Sequence, residues 1–143
     1  MKIGLMHSLD FSKEAIAIKE KLEKMGHQVS QCYSVSRVEK GDLSVQSILD
    51  MKENKTFYEY TISKDLIKWN FNRLKKDDAI LVINISKKGV DNYIGGNTFL
   101  EMGFAHVLNK KIFLLNDIPN MSYTDEIKAM QPMVLNNNLD KIK

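Results

Sequence analysis

The run Ala79-Ile80-Leu81-Val82-Ile83 constrains the fold more than any other part of the chain. Its five residues are apolar in succession and offer water no polar face. A strand that is apolar on both faces needs both faces covered, which is the situation of a central strand in a parallel sheet. The run breaks at Asn84 and closes with Ile85.

The flanking patterns agree with that placement. Ile3–Met6 reads as a short buried strand, followed by a turn at His7-Ser8-Leu9-Asp10. Ser12 is the expected N-cap of a helix over 13–25, whose Ala15, Ile18, Leu22 and Met25 share one face. Gly26 stands where a helix stop prefers glycine. Val29–Tyr33 reads as a second, weaker strand. Leu43, Ile48, Leu49 and Met51 suggest a short helix, and Lys52–Lys55 an exposed turn. Ser63 is the expected cap of a helix with Leu66, Ile67, Phe71 and Leu74 inward, and Trp69 covers the core edge or an oligomer contact. After the central strand come a polar loop over 86–92, a helix from Thr98 to Leu108 and a strand Ile112–Leu115. A turn at Pro119-Asn120, a short helix capped by Thr124, an edge strand Val134–Leu135 and a polar tail with one helical turn complete the chain.

Strands alternating with helices imply βαβ units. The expected fold is a three-layer, doubly wound α/β domain of the Rossmann or flavodoxin type. It has a mostly parallel sheet of about five strands, built from residues 1–143 as a single domain. Ligands of such sheets bind beyond the carboxyl ends of the strands, where strand order reverses. That rule points to His7–Asp10, to Asn84 with its loop, and to Asn116.

Composition excludes several classes of function. With 43% hydrophobic and 27% charged residues, the chain is ordinary for a globular protein. A net charge of +3 and scattered lysine pairs (Lys75–Lys76, Lys87–Lys88, Lys110–Lys111) read as solvated element ends, not as a nucleic-acid groove. The single cysteine, Cys32, forms no internal disulfide and reads as a small core residue. No Cys/His cluster has metal-ligand spacing, so neither metal nor cofactor is expected. No apolar run approaches the roughly 18 residues of a membrane span. The expected setting is cytoplasmic.

One segment stands out chemically. Between Asn92 and Asn109, Glu101 is the only formally charged residue. A helix apolar on nearly all sides is normally buried, and a carboxylate on it is costly unless partnered. Two readings of Glu101 stand side by side. Thr98-x-x-Glu101 has the form of a capping box, with the carboxylate folded back onto its own helix. Alternatively Glu101 does chemistry. Gly95-Gly96 before the helix permits close backbone approach, and the N–H groups of a first helical turn suit an anion. The loop is neither a Walker loop nor a G-x-G-x-x-G fingerprint.

The segment Asp78-Ala79-Ile80-Leu81-Val82-Ile83-Asn84, with GGNTFLEMGFAHVLNKKIFLL from Gly95 to Leu115, resembles the nucleoside 2-deoxyribosyltransferase family. That family includes relatives that hydrolyse the N-glycosidic bond of nucleoside monophosphates. The resemblance covers roughly residues 78–116; the first strand and helix match in layout only. It implies that Glu101 attacks the anomeric carbon and holds the sugar as a glycosyl ester. Gly95, Gly96, Asn97 and Thr98 then line the sugar or cradle a 5′-phosphate. His7 and Ser8 lie where the first-strand loop meets base or sugar. Asn84 stands where the family often places an aspartate beside the leaving base. It can hydrogen-bond a base but cannot act as an acid, and Asp91 is the candidate substitute. The implied partner is a small nucleoside or nucleotide, with no polymer and no membrane. The implied state is a homodimer or higher oligomer, with Trp69, Tyr58 and Tyr60 as candidate interface residues. A catalytically inactive nucleotide-binding or sensing module of the same fold is the alternative. A generic flavodoxin-like or response-regulator-like domain fits less well, because the acidic cluster after strand one is reduced to Asp10.

Overall fold

The computed structural model describes all 143 residues. Five strands form one parallel sheet: β1 (Lys2–His7), β2 (Gln28–Ser30), β3 (Ala79–Ile83), β4 (Lys111–Leu114) and β5 (Met133–Val134). Their order is β2-β1-β3-β4-β5, so the continuously apolar strand β3 is central and wholly buried. Seven helices cover the sheet: α1 (Ser12–Lys24), α2 (Tyr33–Glu39), α3 (Val45–Glu53), α4 (Phe57–Ser63), α5 (Leu66–Leu74), α6 (Gly96–Val107) and α7 (Thr124–Ala129).

Handedness explains the layers. The chain moves from β1 to β2 in one direction and from β3 to β5 in the other. Right-handed crossovers therefore place α1 on one face and α5, α6 and α7 on the opposite one. The core follows the same division. Ala15, Ile18 and Leu22 of α1 pack on Ile3, Leu5, Leu81 and Ile83. Met102 and Ala105 of α6, with Leu74 and Ile127, pack on Met6, Ile80, Val82 and Leu114. A small third core of Leu9, Val35 and Ile48 lies under α2 and α3. Strand order reverses between β1 and β3, where His7 pairs beside Ile83.

Several local expectations are corrected. Ser12 is not a cap: a 3-10 turn over Leu9–Phe11 leads straight into α1, and the Ser12 hydroxyl donates to Leu9 O. The stop at Gly26 is as expected, with φ +89°, Gly26 N donating to Glu23 O and His27 N to Leu22 O. β2 ends at Ser30, and Tyr33 already begins α2. Lys52 and Glu53 complete α3, so the turn is Asn54–Lys55. Ser63 closes α4, and Asp65 in the left-handed region (φ +49°) precedes α5. Ile67 faces outward, 49% exposed. The edge strand is Met133–Val134, one residue earlier than read.

The correction that matters most concerns α6. The helix starts at Gly96, with Gly95 in extended conformation as its N-cap. Thr98 therefore lies inside the first turn, and Glu101 one turn further on. No side-chain cap exists at this end, so the capping-box reading of Glu101 is excluded.

Candidate functional site

A cleft opens at the carboxyl edge of the sheet, at the reversal point between β1 and β3. His7 comes from the end of β1, Leu9 from the turn after it, Cys32 from the N-cap of α2 and Ser34 from its first turn. α4 supplies Phe57 and Thr61; α5 supplies Leu66, Ile67 and Asn70. α6 forms the far wall with Asn97, Leu100, Glu101 and Phe104, spaced at three, one and three residues along one helical face. Phe71 and Phe104 meet edge-to-face at 5.2 Å and tie the two walls together.

Glu101 is 9% exposed. Burial pushes its carboxyl up from 4.5 to about 7, and the Arg73 guanidinium opposes part of that rise. No hydrogen bond contributes to holding the charge. An ionisable group this perturbed, in a cleft and free of structural partners, is a functional-site signature.

His7 is 8% exposed and lines the same cleft as Glu101. Its Nδ1 contacts Ser8 O at 2.8 Å and its Nε2 contacts the Gln31 amide at 3.4 Å. Burial lowers its pKa, so the neutral ring is favoured. A neutral ring has one N–H, which Ser8 O accepts, leaving Nε2 as an acceptor. The Gln31 amide nitrogen is otherwise buried without a partner. Turning that amide over pairs the Gln31 NH₂ with His7 Nε2 and leaves Gln31 Oε1 as the unpaired buried atom.

The remaining predicted residues divide. Asn97 lines the cleft. Gly95 and Gly96 sit at the helix start, and a Cβ on Gly95 would press on the Tyr93 ring at 3.3 Å. The N–H groups of Gly96, Asn97 and Thr98 precede the first helical hydrogen bond, Phe99 N to Gly95 O at 2.9 Å. Thr98 itself is buried outside the cleft lining. Ser8 accepts from Lys87 Nζ at 2.8 Å. Lys87 also pairs with Asp10 and lies 5.3 Å from the Tyr93 ring centroid, so it is a half-buried strut and not a solvated element end. Lys52 of α3 stands near this group, its pKa lowered by burial and by Lys87.

Asn84 and Asp91 lie elsewhere. Asn84 is fully buried, and its side chain donates to Asp117 O at 2.8 Å and Asn116 O at 3.2 Å while accepting from Asn116 N at 2.9 Å. It latches the exits of β3 and β4, and its full burial keeps it out of reach of the cleft. Asp91 is exposed in its loop and accepts from Ser86 at 3.1 Å. Neither lines the cleft.

Sequence reading missed Asn70, Arg73 and the lining role of Cys32. Burial raises the Cys32 thiol to about 11, which keeps it protonated and unreactive. Asn70 and Arg73 both interrupt the apolar face of α5, and that interruption was their only trace in sequence. No cluster of three His, Cys, Asp or Glu side chains is arranged to hold a metal ion, and no helix is long and apolar enough to cross a membrane. Comparison with known proteins brings no match, whether to a family model, a curated protein or a solved structure.

Proposed function

We propose that the chain cleaves or transfers at the N-glycosidic bond of a nucleoside or nucleotide, with Glu101 as the nucleophile. The observation that carries this reading is the Glu101 carboxyl: buried, unpartnered, and part of the cleft wall at the point where strand order reverses. A Glu101 oxygen attacks C1′ of the sugar. The C1′–N bond breaks, its electron pair goes to the base nitrogen, and the base leaves after taking a proton. Water or a second base then attacks C1′ and releases the carboxylate. The resemblance of residues 78–116 to deoxyribosyltransferases supplies the reaction class.

Two further features support a nucleotide. The free N–H groups at the start of α6 suit an anionic substituent such as a 5′-phosphate. Lys87 and Lys52 add positive charge on the same side, through Tyr93 and the Gly95 turn. Exposed Ile62 on α4 and Val107 on α6, both outside the cleft lining, support self-association, which light scattering checks. A reduced free thiol at Cys32 suits the cytoplasm.

The test is release of free base from a panel of ribo- and deoxyribonucleosides and their 5′-monophosphates, followed by chromatography. Release that disappears in Glu101→Ala supports the reading. No release from any substrate, or release unchanged in the variant, defeats it.

One observation favours the inactive binding module. Glu101 is the only carboxylate in the cleft lining, whereas retaining glycosidic chemistry uses a pair. Calorimetric binding of a nucleotide with no base released over many hours would select this second reading.

A further inference from the structure

A guanidinium keeps its proton at any pH a folded protein meets, so burying one without a counter-ion costs stability and calls for an explanation. Arg73 of α5 is such a case. It is 9% exposed. Its Nη1 donates to Ser30 O at 3.2 Å and to Ser30 Oγ at 3.0 Å, and its Nη2 reaches Met6 Sδ at 3.2 Å. Every one of these acceptors is neutral. The ion pairs of the protein lie elsewhere, on Lys2, Lys19, Arg37, Lys68 and Lys87.

Asp77 does not account for the charge. The Ser30 hydroxyl stands between the two groups, accepting from Arg73 and donating to Asp77 Oδ2 at 2.8 Å. The direct ion pair of Asp77 is with Lys2, at 3.9 Å. The other carboxyl near Arg73 is Glu101. Phe71, two residues before Arg73, meets Phe104, three residues after Glu101, at 5.2 Å. Met6, which Arg73 contacts, shares a core cluster with Met102, the neighbour of Glu101. The guanidinium acts on Glu101, His7 and Cys32, all of them cleft-lining groups. Nothing else charged faces the carboxyl. His7 from β1 is neutral, Cys32 from the cap of α2 is a protonated thiol, and the lining residues of α4 and α5 are uncharged.

We infer that Arg73 is a positioning residue for Glu101: an uncompensated charge fixed behind the cleft wall, whose field steadies the carboxylate without touching the substrate. This rests on the reading of Glu101 as nucleophile and deepens it. Burial alone would keep the carboxyl protonated and useless as a nucleophile near neutral pH. A cation in direct contact would occupy the very oxygens that must attack. A charge held back by Ser30 and Met6 favours ionisation and leaves those oxygens free. Arginine suits the position because a lysine buried there would tend to give up its proton.

The test follows the ¹³C carboxyl resonance of Glu101 through pH, assigned by its loss in Glu101→Gln, and needs no turnover. Two variants remove the charge: Arg73→Gln keeps a hydrogen-bonding end, and Arg73→Met keeps an apolar stem. In each, the titration midpoint should rise from about 7 by roughly one pH unit, because the anion loses the charge that steadies it. At pH 7 about fivefold less of the carboxylate is then ionised, and base release falls with it. A midpoint unmoved in either variant that folds overturns the inference. Unmoved in both, the charge has no effect; unmoved in Arg73→Gln alone, hydrogen bonding and not charge is at work. These outcomes leave the N-glycosidic reading standing, since base release from wild type tests it separately. A shifted midpoint with no base released from any substrate overturns the nucleophile reading and supports the charge effect.

Discussion

Two buried carboxyls on the same face of the sheet show how one residue type is put to opposite uses. Asp77 precedes β3 at the amino edge and has no exposed side-chain surface. It accepts from Ser30 Oγ at 2.8 Å, faces Lys2, and feels the Arg73 guanidinium. Burial raises its pKa, while Ser30, Arg73 and Lys2 pull it back. Glu101, near the carboxyl edge, is buried to a similar degree. It has no hydrogen bond and only the same distant guanidinium to steady it. Asp77 is held; Glu101 is left free. A free buried carboxyl costs stability, and a cleft beside it gives that cost a use.

The contrast can be broken at either end. The largest effect is expected on chemistry: Glu101→Ala should lower base release by about 10³-fold or more, as loss of a covalent nucleophile does. Asp77→Ala, by comparison, should leave the reaction class intact and destabilise the fold by about 3 kcal/mol, because Arg73 loses its neighbouring charge in the interior. Denaturant unfolding measures the second and base release the first. An Asp77 variant that kills activity at full stability would erase the distinction.

The next effect depends on pH. Burial raises the folded pKa of Glu101 above the unfolded value of 4.5, to about 7. The unfolded chain therefore gives up its proton first as pH rises. Wild type has the full benefit of a protonated Glu101 below pH 4.5 and loses it between 4.5 and 7. Glu101→Gln keeps the shape without the titration. It should match wild type near pH 4 and exceed it by up to about 3 kcal/mol at pH 8. Unfolding curves at both pH values check this, and a gap that stays constant with pH would contradict it. On the proposed reading the same ionisation makes the nucleophile, and kcat/KM should rise through an acid limb near pH 7.

The smallest effect sharpens the held end. A Cβ on Gly4 would come within 2.5 Å of Asp77 Oδ2 and 3.1 Å of Met6 Cε. Gly4 thus lets the carboxylate lie close against β1. Gly4→Ala should cost about 2 kcal/mol, with the carboxylate forced off Ser30. A thermal melt indistinguishable from wild type would show that the contact is slack.

Much of this was legible along the chain. The apolar run of β3 announced a central parallel strand, and the solitary charge of α6 marked Glu101. The roof was harder to read: α2 to α4 are short, and their apolar residues follow no long period. The start of α6 was misread because Thr98 and Glu101 have the spacing of a capping box, while glycine offers no side chain to signal a cap. The extended backbone of Gly95, packed against Tyr93, lets the helix begin two residues earlier. Asn84 was visible as the polar end of an apolar strand, but its partners at Asn116 and Asp117 lie on another strand's exit.

By itself, then, the sequence determined the parallel α/β sheet and singled out Glu101 as the candidate site residue. Both are written in periodicity and in one charge set among apolar neighbours, which are properties of adjacent residues. Only the tertiary structure decided that Glu101 belongs to a cleft wall instead of a helix cap, that Asn84 is a latch, and that Arg73 sets an unpaired charge behind the same cleft. Each depends on residues far apart in the chain coming into contact, and on which hydrogen bonds remain unmade once they do.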